Sequence, residues 1–153
     1  MTRRNYIPVE IRRAVREHAH ECCEYCLCRA DHTTELFVIE HVLPLSKGGT
    51  DEMDNLAFSC SGCNGYKYNK TEALDPVNNT VVSLYNPRIH QWHDHFEWSS
   101  DSRLVVARTS IGRATIKELR LNRVQLANLR YALSVIGRHP PDFLHDITSY
   151  TTT

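Results

Sequence analysis

Apolar residues fall in short blocks along this chain, and their spacing changes from block to block. Between Pro8 and Ala19, Ile11, Ala14, Val15 and His18 follow helical spacing, with Pro8 near a first-turn position that tolerates it, so an N-terminal helix is predicted. Leu36 to Val42 is a β-branched and aromatic run stopped by Pro44, and Ser46 to Thr50 is a loop signal built around Gly48-Gly49. Leu56-Ala57-Phe58 has the composition of a second strand. Ser59 to Lys70 then continues as a short helix on which Asn64 and Lys67, three positions apart, share a face. Farther on, Phe96 to Trp98 and Leu104 to Ala107 flank the polar Ser99 to Ser102, the pattern of a hairpin. Ser110 is the expected cap of a helix over Ile111 to Leu121. Asn122 is the expected cap of another over Arg123 to Ile136, which Gly137 stops with Pro140 beyond it. Asp142 to Thr153 carries no clear period and is expected to be poorly ordered. The prediction is one α+β domain over residues 1–153, with a core at 20–70 and a C-terminal extension at 80–138.

Composition narrows the classes. The chain has 153 residues, 41% apolar and 24% charged, which suits one globular domain. Lys plus Arg number 18 and Asp plus Glu number 18, so no net field draws the protein to nucleic acid or an anionic membrane. Any such partner must meet a local patch. Eight Lys or Arg face a single acid, Glu118, between Arg103 and Arg138, and Arg113, Lys117 and Arg120 fall on one helical stripe. That stripe is a candidate contact for a phosphate backbone, giving affinity without sequence readout, although a solvated face has the same pattern. No apolar run approaches the roughly 20 residues of a membrane helix, and residues 1–6 do not open a signal-peptide core. The expectation is a soluble, cytoplasmic protein without a membrane partner.

Six cysteines in such a chain point to metal ligation or free thiols rather than disulfides. They include Cys23-Glu-Tyr-Cys26 and Cys60-Ser-Gly-Cys63. Two residues between thiolates let a tight turn aim both sulfurs at one ion, and two such turns close a tetrahedral zinc shell with no open position. Cys23, Cys26, Cys60 and Cys63 are therefore the candidate ligands of a structural Zn²⁺. Cys22 and Cys28 flank the first pair and could substitute, as in Cys22-x3-Cys26, but Cys23 with Cys26 is the better-spaced choice and packing the more common outcome for the outer two. The 33 residues between the pairs exceed a common zinc-ribbon gap, so a substructure is inserted there. A redox pair is the competing reading of these thiols, but the βαβ context it requires is missing from the pattern. His90, His93 and His95 lie among Trp92, Phe96 and Trp98, where packing is the more common outcome than ligation.

The insert carries the remaining chemistry. Ile39-Glu40-His41-Val42-Leu43-Pro44-Leu45-Ser46-Lys47-Gly48-Gly49, Asp54-Asn55-Leu56 and Cys60-Ser61-Gly62-Cys63-Asn64-Gly65-Tyr66-Lys67 together resemble the HNH endonucleases. His41 to Asn55 is 14 positions and Asn55 to Asn64 nine more, in keeping with that family. The resemblance covers about residues 20 to 70, and the stretch from Tyr85-Asn86-Pro87-Arg88 through Arg123 is similar to an extension of some bacterial HNH proteins. It implies a ββα-metal (His-Me finger) unit with two zinc knuckles, an N-terminal helix and a C-terminal hairpin and helical extension. It also implies hydrolysis of DNA, most simply double-stranded, leaving 5′-phosphate and 3′-hydroxyl ends.

Phosphodiester hydrolysis needs a deprotonated water, a cation against the charge that builds on the phosphate, and in-line geometry. Histidine, with an ordinary pKa of about 6.5, is neutral and proton-accepting at cellular pH, so His41 is the candidate general base. Glu40 offers a hard oxygen ligand and Asn64, in place of the final His, an amide oxygen; with waters and substrate they suit Mg²⁺ or Mn²⁺. Asn55 is expected to tie the loop that orients His41, and Lys67 to set positive charge against phosphate. Neighbours in a regular strand face opposite sides, so Glu40 and His41 can converge only where the strand ends or twists. A zinc-stabilised nucleic-acid-binding module whose nuclease site has lapsed is the alternative. Oligomeric state, cleavage specificity and pathway are left open by the residues.

Overall fold

The fold is α+β, built from short elements that share two apolar clusters. The computed structural model describes residues 6–143; most of the aperiodic tail expected from Asp142 onward lies outside them. Helix α1, Val9–His18, is preceded by Pro8, which takes an extended ψ of 149° and caps the helix rather than entering it. The first cysteine turn follows. Strands β1, Phe37–His41, and β2, Leu56–Cys60, pair antiparallel with His41 opposite Leu56 and Phe37 opposite Cys60. Helix α2, Ser61–Lys67, leaves directly from β2, and its first turn is capped by Cys60 Sγ, which accepts the Cys63 amide at 3.5 Å. Strand, loop, strand and helix thus occur in the predicted order.

The hairpin of β3, Glu72–Leu74, and β4, Val81–Ser83, has no counterpart in the prediction, because three-residue strands with one half-buried position carry almost no alternation. The single turn of helix α3, Trp92–His95, was hidden for the same reason. Strands β5, Phe96–Trp98, and β6, Val105–Ala107, form the hairpin expected from the pattern. Helix α4 spans Ser110–Leu119 and α5 spans Val124–Val135. Both caps differ from expectation. Thr109, not Ser110, accepts the Gly112 amide at 3.1 Å. Asn122 does not cap α5: its side chain pairs with Val105 at both amide and carbonyl, 2.8 Å each, and so docks the C-terminal helices on β6. Gly137, at φ 74°, follows α5 as predicted.

The first apolar cluster gathers Cys23, Tyr25, Cys26, Cys60 and Cys63 with Leu84, Tyr85, Trp92, Phe96, Val105, Leu119, Leu121 and Leu126. The second packs Ile7, Val15 and Ala19 against Leu56 and Phe58, pinning α1 to β2. The sheet β1–β2 therefore lies between the cysteine centre and α1. None of the helices among the described residues is long and apolar enough to cross a membrane.

Candidate functional site

The four-cysteine centre is built by two turns that the backbone itself stabilises. In the first, the Cys23 amide donates to Cys28 O and the Leu27 amide to Cys23 O, both at 2.9 Å, with Leu27 at φ 61°. The second is the β2–α2 junction. All four Sγ atoms of Cys23, Cys26, Cys60 and Cys63 are buried and lie within 4.8 Å of one another. Cys26 and Cys60 are 3.8 Å apart, the edge expected of a tetrahedron with Zn–S bonds of about 2.3 Å. The donor set fits Zn²⁺. A four-thiolate shell around Zn²⁺ carries net negative charge, and the Arg123 guanidinium meets it, with nitrogens 3.7 Å from Cys63 Sγ and 3.5 Å from Cys60 Sγ. Sequence reasoning missed Arg123, which showed there only as one of many basic positions. Cys22 stands outside the group; burial pushes its thiol up to about 12, so it packs as a neutral side chain.

The polar residues of the insert sit where β1 ends. Glu40, His41 and Asn64 line one cleft of about 290 Å³, together with Pro44, Leu45 and Tyr68. Within it the strand alternation holds: His41 is half-buried, whereas Glu40 is 5% exposed. Glu40 Oε1 accepts from the Tyr25 hydroxyl and its Oε2 lies 3.4 Å from Lys67 Nζ. Burial raises the Glu40 carboxyl above its ordinary value, against the opposing charge of Lys67. Burial also pushes the Tyr25 hydroxyl well up, so it remains a donor. Tyr25, between Cys23 and Cys26, thus ties the first cysteine turn to Glu40.

Lys67 is not where it was expected. It is 1% exposed and donates to Val42 O at 3.0 Å. No phosphate in solution reaches it, and its charge balances Glu40 inside the protein. Asn64, one turn earlier on α2, keeps its side-chain amide free of hydrogen bonds among the described residues and faces the cleft. Each carboxylate oxygen of Glu40 has two lone-pair directions. With Tyr25 and Lys67 each taking one, Glu40 and Asn64 together still offer oxygen donors that fit a hard cation with waters completing its shell.

Asn55 holds the loop between β1 and β2. Its side chain accepts the Leu43 amide at 2.8 Å and donates to Leu43 O and Thr50 O at 2.9 Å each. Gly49 is obligatory in this closure, since a Cβ there would lie 1.8 Å from Leu43 O. The loop returns Asp51 to the strand end, where its Oδ1 is 2.7 Å from His41 Nε2. Against an ionised carboxylate, which only accepts, Nε2 is the donor, and in the neutral ring that leaves the lone pair on Nδ1. Asp51 escaped the sequence reading because an acid in a polar loop is the ordinary case.

The predicted C-terminal stripe is broken up. Arg113 forms a two-pronged ion pair with buried Asp75 at 2.9 and 2.7 Å, which holds that carboxyl at about 2. Helix α4 ends at Leu119, and Arg120 turns into the left-handed region, its guanidinium over the Tyr66 ring at 4.7 Å. Lys117 and Arg120 are both exposed, so only Arg113 is withdrawn from the stripe by an ion pair. The histidines are packing groups: His90 Nδ1 accepts the Asn86 amide at 3.0 Å, His95 Nδ1 lies 2.7 Å from Thr109 Oγ1, and the His93 ring stands against Trp92. Burial lowers His90 and His95 below the ordinary histidine value.

Comparison with known proteins agrees with this geometry. The chain is similar to Septu protein PtuB of Bacillus thuringiensis, 25% identical over 154 residues, and the match takes in 90% of this chain. The chain spans about 60% of that relative's length. No solved structure matches significantly. Residues 23–70, which hold both cysteine turns, the β1–β2 hairpin and α2, match the HNH endonuclease family, a family of nucleases, and form an HNH domain.

Proposed function

We propose that this protein is a metal-dependent HNH endonuclease that hydrolyses phosphodiester bonds of double-stranded DNA. The observation that carries the proposal is the common cleft of Glu40, His41 and Asn64 at the end of a hairpin whose far side is the four-cysteine centre. Cys23, Cys26, Cys60 and Cys63 hold a structural Zn²⁺. Glu40 and Asn64 would hold Mg²⁺ or Mn²⁺, which would supply positive charge against the phosphate and the leaving oxygen.

His41 is the general base. Its Nδ1 takes a proton from the attacking water while Asp51 holds Nε2, as an orienting group does for a catalytic imidazole. Asn55 acts at one remove, by fixing Leu43 two residues beyond His41. Lys67 and Tyr25 fix the Glu40 carboxylate from inside. The products are a 5′-phosphate and a 3′-hydroxyl. A single cleft of this kind cuts one strand, so double-strand breaks need two copies or two successive nicks.

The engagement of both Glu40 oxygens by Tyr25 and Lys67 favours a second reading, a zinc-stabilised binding module without catalysis. Plasmid cleavage separates the two. With Mg²⁺ or Mn²⁺ the zinc-loaded protein nicks or linearises a supercoiled plasmid, EDTA stops it, and His41→Ala loses about 10²- to 10⁴-fold of the rate with zinc retained. A folded, zinc-loaded wild type that cuts with neither metal points to the module.

A further inference from the structure

A second cleft, of about 590 Å³, lies beside the first and is bordered by basic side chains. One wall is the outer face of α1, where Val9, Arg12, Arg13 and Arg16 follow the i, i+3, i+4, i+7 spacing of one helical stripe. Its floor is Phe37, Val38 and Ile39 of β1 with Phe58 of β2. Val38 and Ile39 also line the cleft of His41, so the two depressions meet along the strand. Ile39 precedes His41 by two residues, about 7 Å along a strand.

The three guanidiniums are exposed and largely unneutralised. Arg12 donates from Nε to Ile7 O and is exposed, with no ion pair among the described residues. Arg13 has no ion pair or side-chain hydrogen bond among the described residues. Arg16 pairs with Glu21 at the surface and lies over the Phe58 ring at 5.5 Å. The acids of the helix, Glu10 and Glu17, recur on a different stripe, seven apart. Glu40, on the adjoining strand, is buried and paired. In a chain with no net charge, this is a local positive surface beside the candidate catalytic residues.

We infer that Arg12, Arg13 and Arg16 of α1 bind the phosphate backbone of a DNA duplex and lead its strand to the His41 cleft. The inference rests on the nuclease reading for its substrate class. Arg12 to Arg16 rises about 6 Å along the helix, near the axial rise of two phosphates on one strand. The floor presents little aromatic face to unpaired bases: Phe58 is 3% exposed beneath Arg16, and the partly buried Phe37 packs on it at 4.9 Å. A backbone contact by forked guanidiniums is what remains, giving affinity and orientation without sequence readout.

The test is fluorescence anisotropy with a labelled duplex of about 20 base pairs and the matching single strand, at several salt concentrations. The protein is zinc-loaded and carries His41→Ala so that hydrolysis does not intrude. Adding Arg12→Gln, Arg13→Gln and Arg16→Gln weakens duplex binding about 10-fold or more and flattens the salt dependence by two to three units of slope, close to 0.9 per phosphate contact. The triple Lys replacement restores most of both. Zinc content and circular dichroism confirm that each variant is folded. Unchanged duplex affinity and slope in the Gln variant overturn the inference, as do absent wild-type binding and a preference for the single strand. Plasmid cleavage by protein with native His41 keeps the two ideas apart. Cutting with no dependence on these arginines removes the docking surface and leaves the nuclease; arginine-dependent binding without cutting does the reverse.

Discussion

His41 and Glu40 are neighbours in sequence, yet their side chains have unlike surroundings, and that difference sets what each can do. His41, which lines the cleft, has Nε2 tied to Asp51, and its Nδ1 has no hydrogen bond among the described residues. Replacing Asp51 by Ala is expected to lower kcat about 10-fold, a fraction of the full worth of a general base, with KM little changed. Asp51→Asn restores most of it, because the amide oxygen still accepts from Nε2; steady-state kinetics on the three proteins decide the matter. Glu40 is held from within by Lys67, and the two form a buried ion pair. Taking away one partner of such a pair leaves an uncompensated charge, so Lys67→Met is expected to destabilise the protein by about 3–5 kcal/mol. Chemical denaturation reads this directly. A loss of DNA affinity without a loss of stability would instead return Lys67 to the phosphate-facing role that its spacing from Asn64 predicted.

At the level of elements, the β1–β2 hairpin works because its loop closes without a side chain at Gly49. The Asn55 amide fills the space so released, bonding Leu43 and Thr50, and the loop then brings Asp51 to the strand end. Gly49→Ala must push Leu43 or Asn55 aside. Zinc is expected to stay bound, since the cysteine turns lie elsewhere, while cleavage falls in proportion to the displacement of His41, where a 1 Å misplacement is worth about 10²-fold. Metal analysis beside plasmid cleavage checks both halves, and full activity in Gly49→Ala would show that the loop does not hold the site. The capping of α2 by Cys60 has a parallel meaning: a member of the four-cysteine centre also starts the helix carrying Asn64.

Across the whole molecule, the cysteine centre joins parts distant in the chain. Its buried neighbours reach from Tyr25 to Leu126, and Arg123, Arg130 and Trp92 bond to its cysteines or to the backbone of its first turn. Stripping zinc with a strong chelator is therefore expected to unfold the C-terminal helices together with the hairpin, in one transition by circular dichroism and tryptophan fluorescence, because structural zinc sites supply folding energy outright. Retained helicity after complete zinc loss would contradict this.

Much of this was readable from the chain alone. Two closely spaced cysteine pairs, an apolar run ending in Glu40-His41, a glycine loop and a short helix with Asn64 are local patterns, and the covalent spacing of residues determined their order and the chemistry they could support. The weak strands β3 and β4 and the cap at Thr109 were not readable, because elements of three residues and competing polar caps leave no periodic trace. Burial and partners lie outside sequence spacing altogether. Only the tertiary structure decided that Lys67 points inward to Glu40, that Arg113 is taken by Asp75, that Asp51 returns to His41, and that the exposed Arg12, Arg13 and Arg16 of α1 border a cleft beside His41. Each of those outcomes depends on which distant segment packs alongside, and desolvation and charge pairing act through space, across tens of residues of chain.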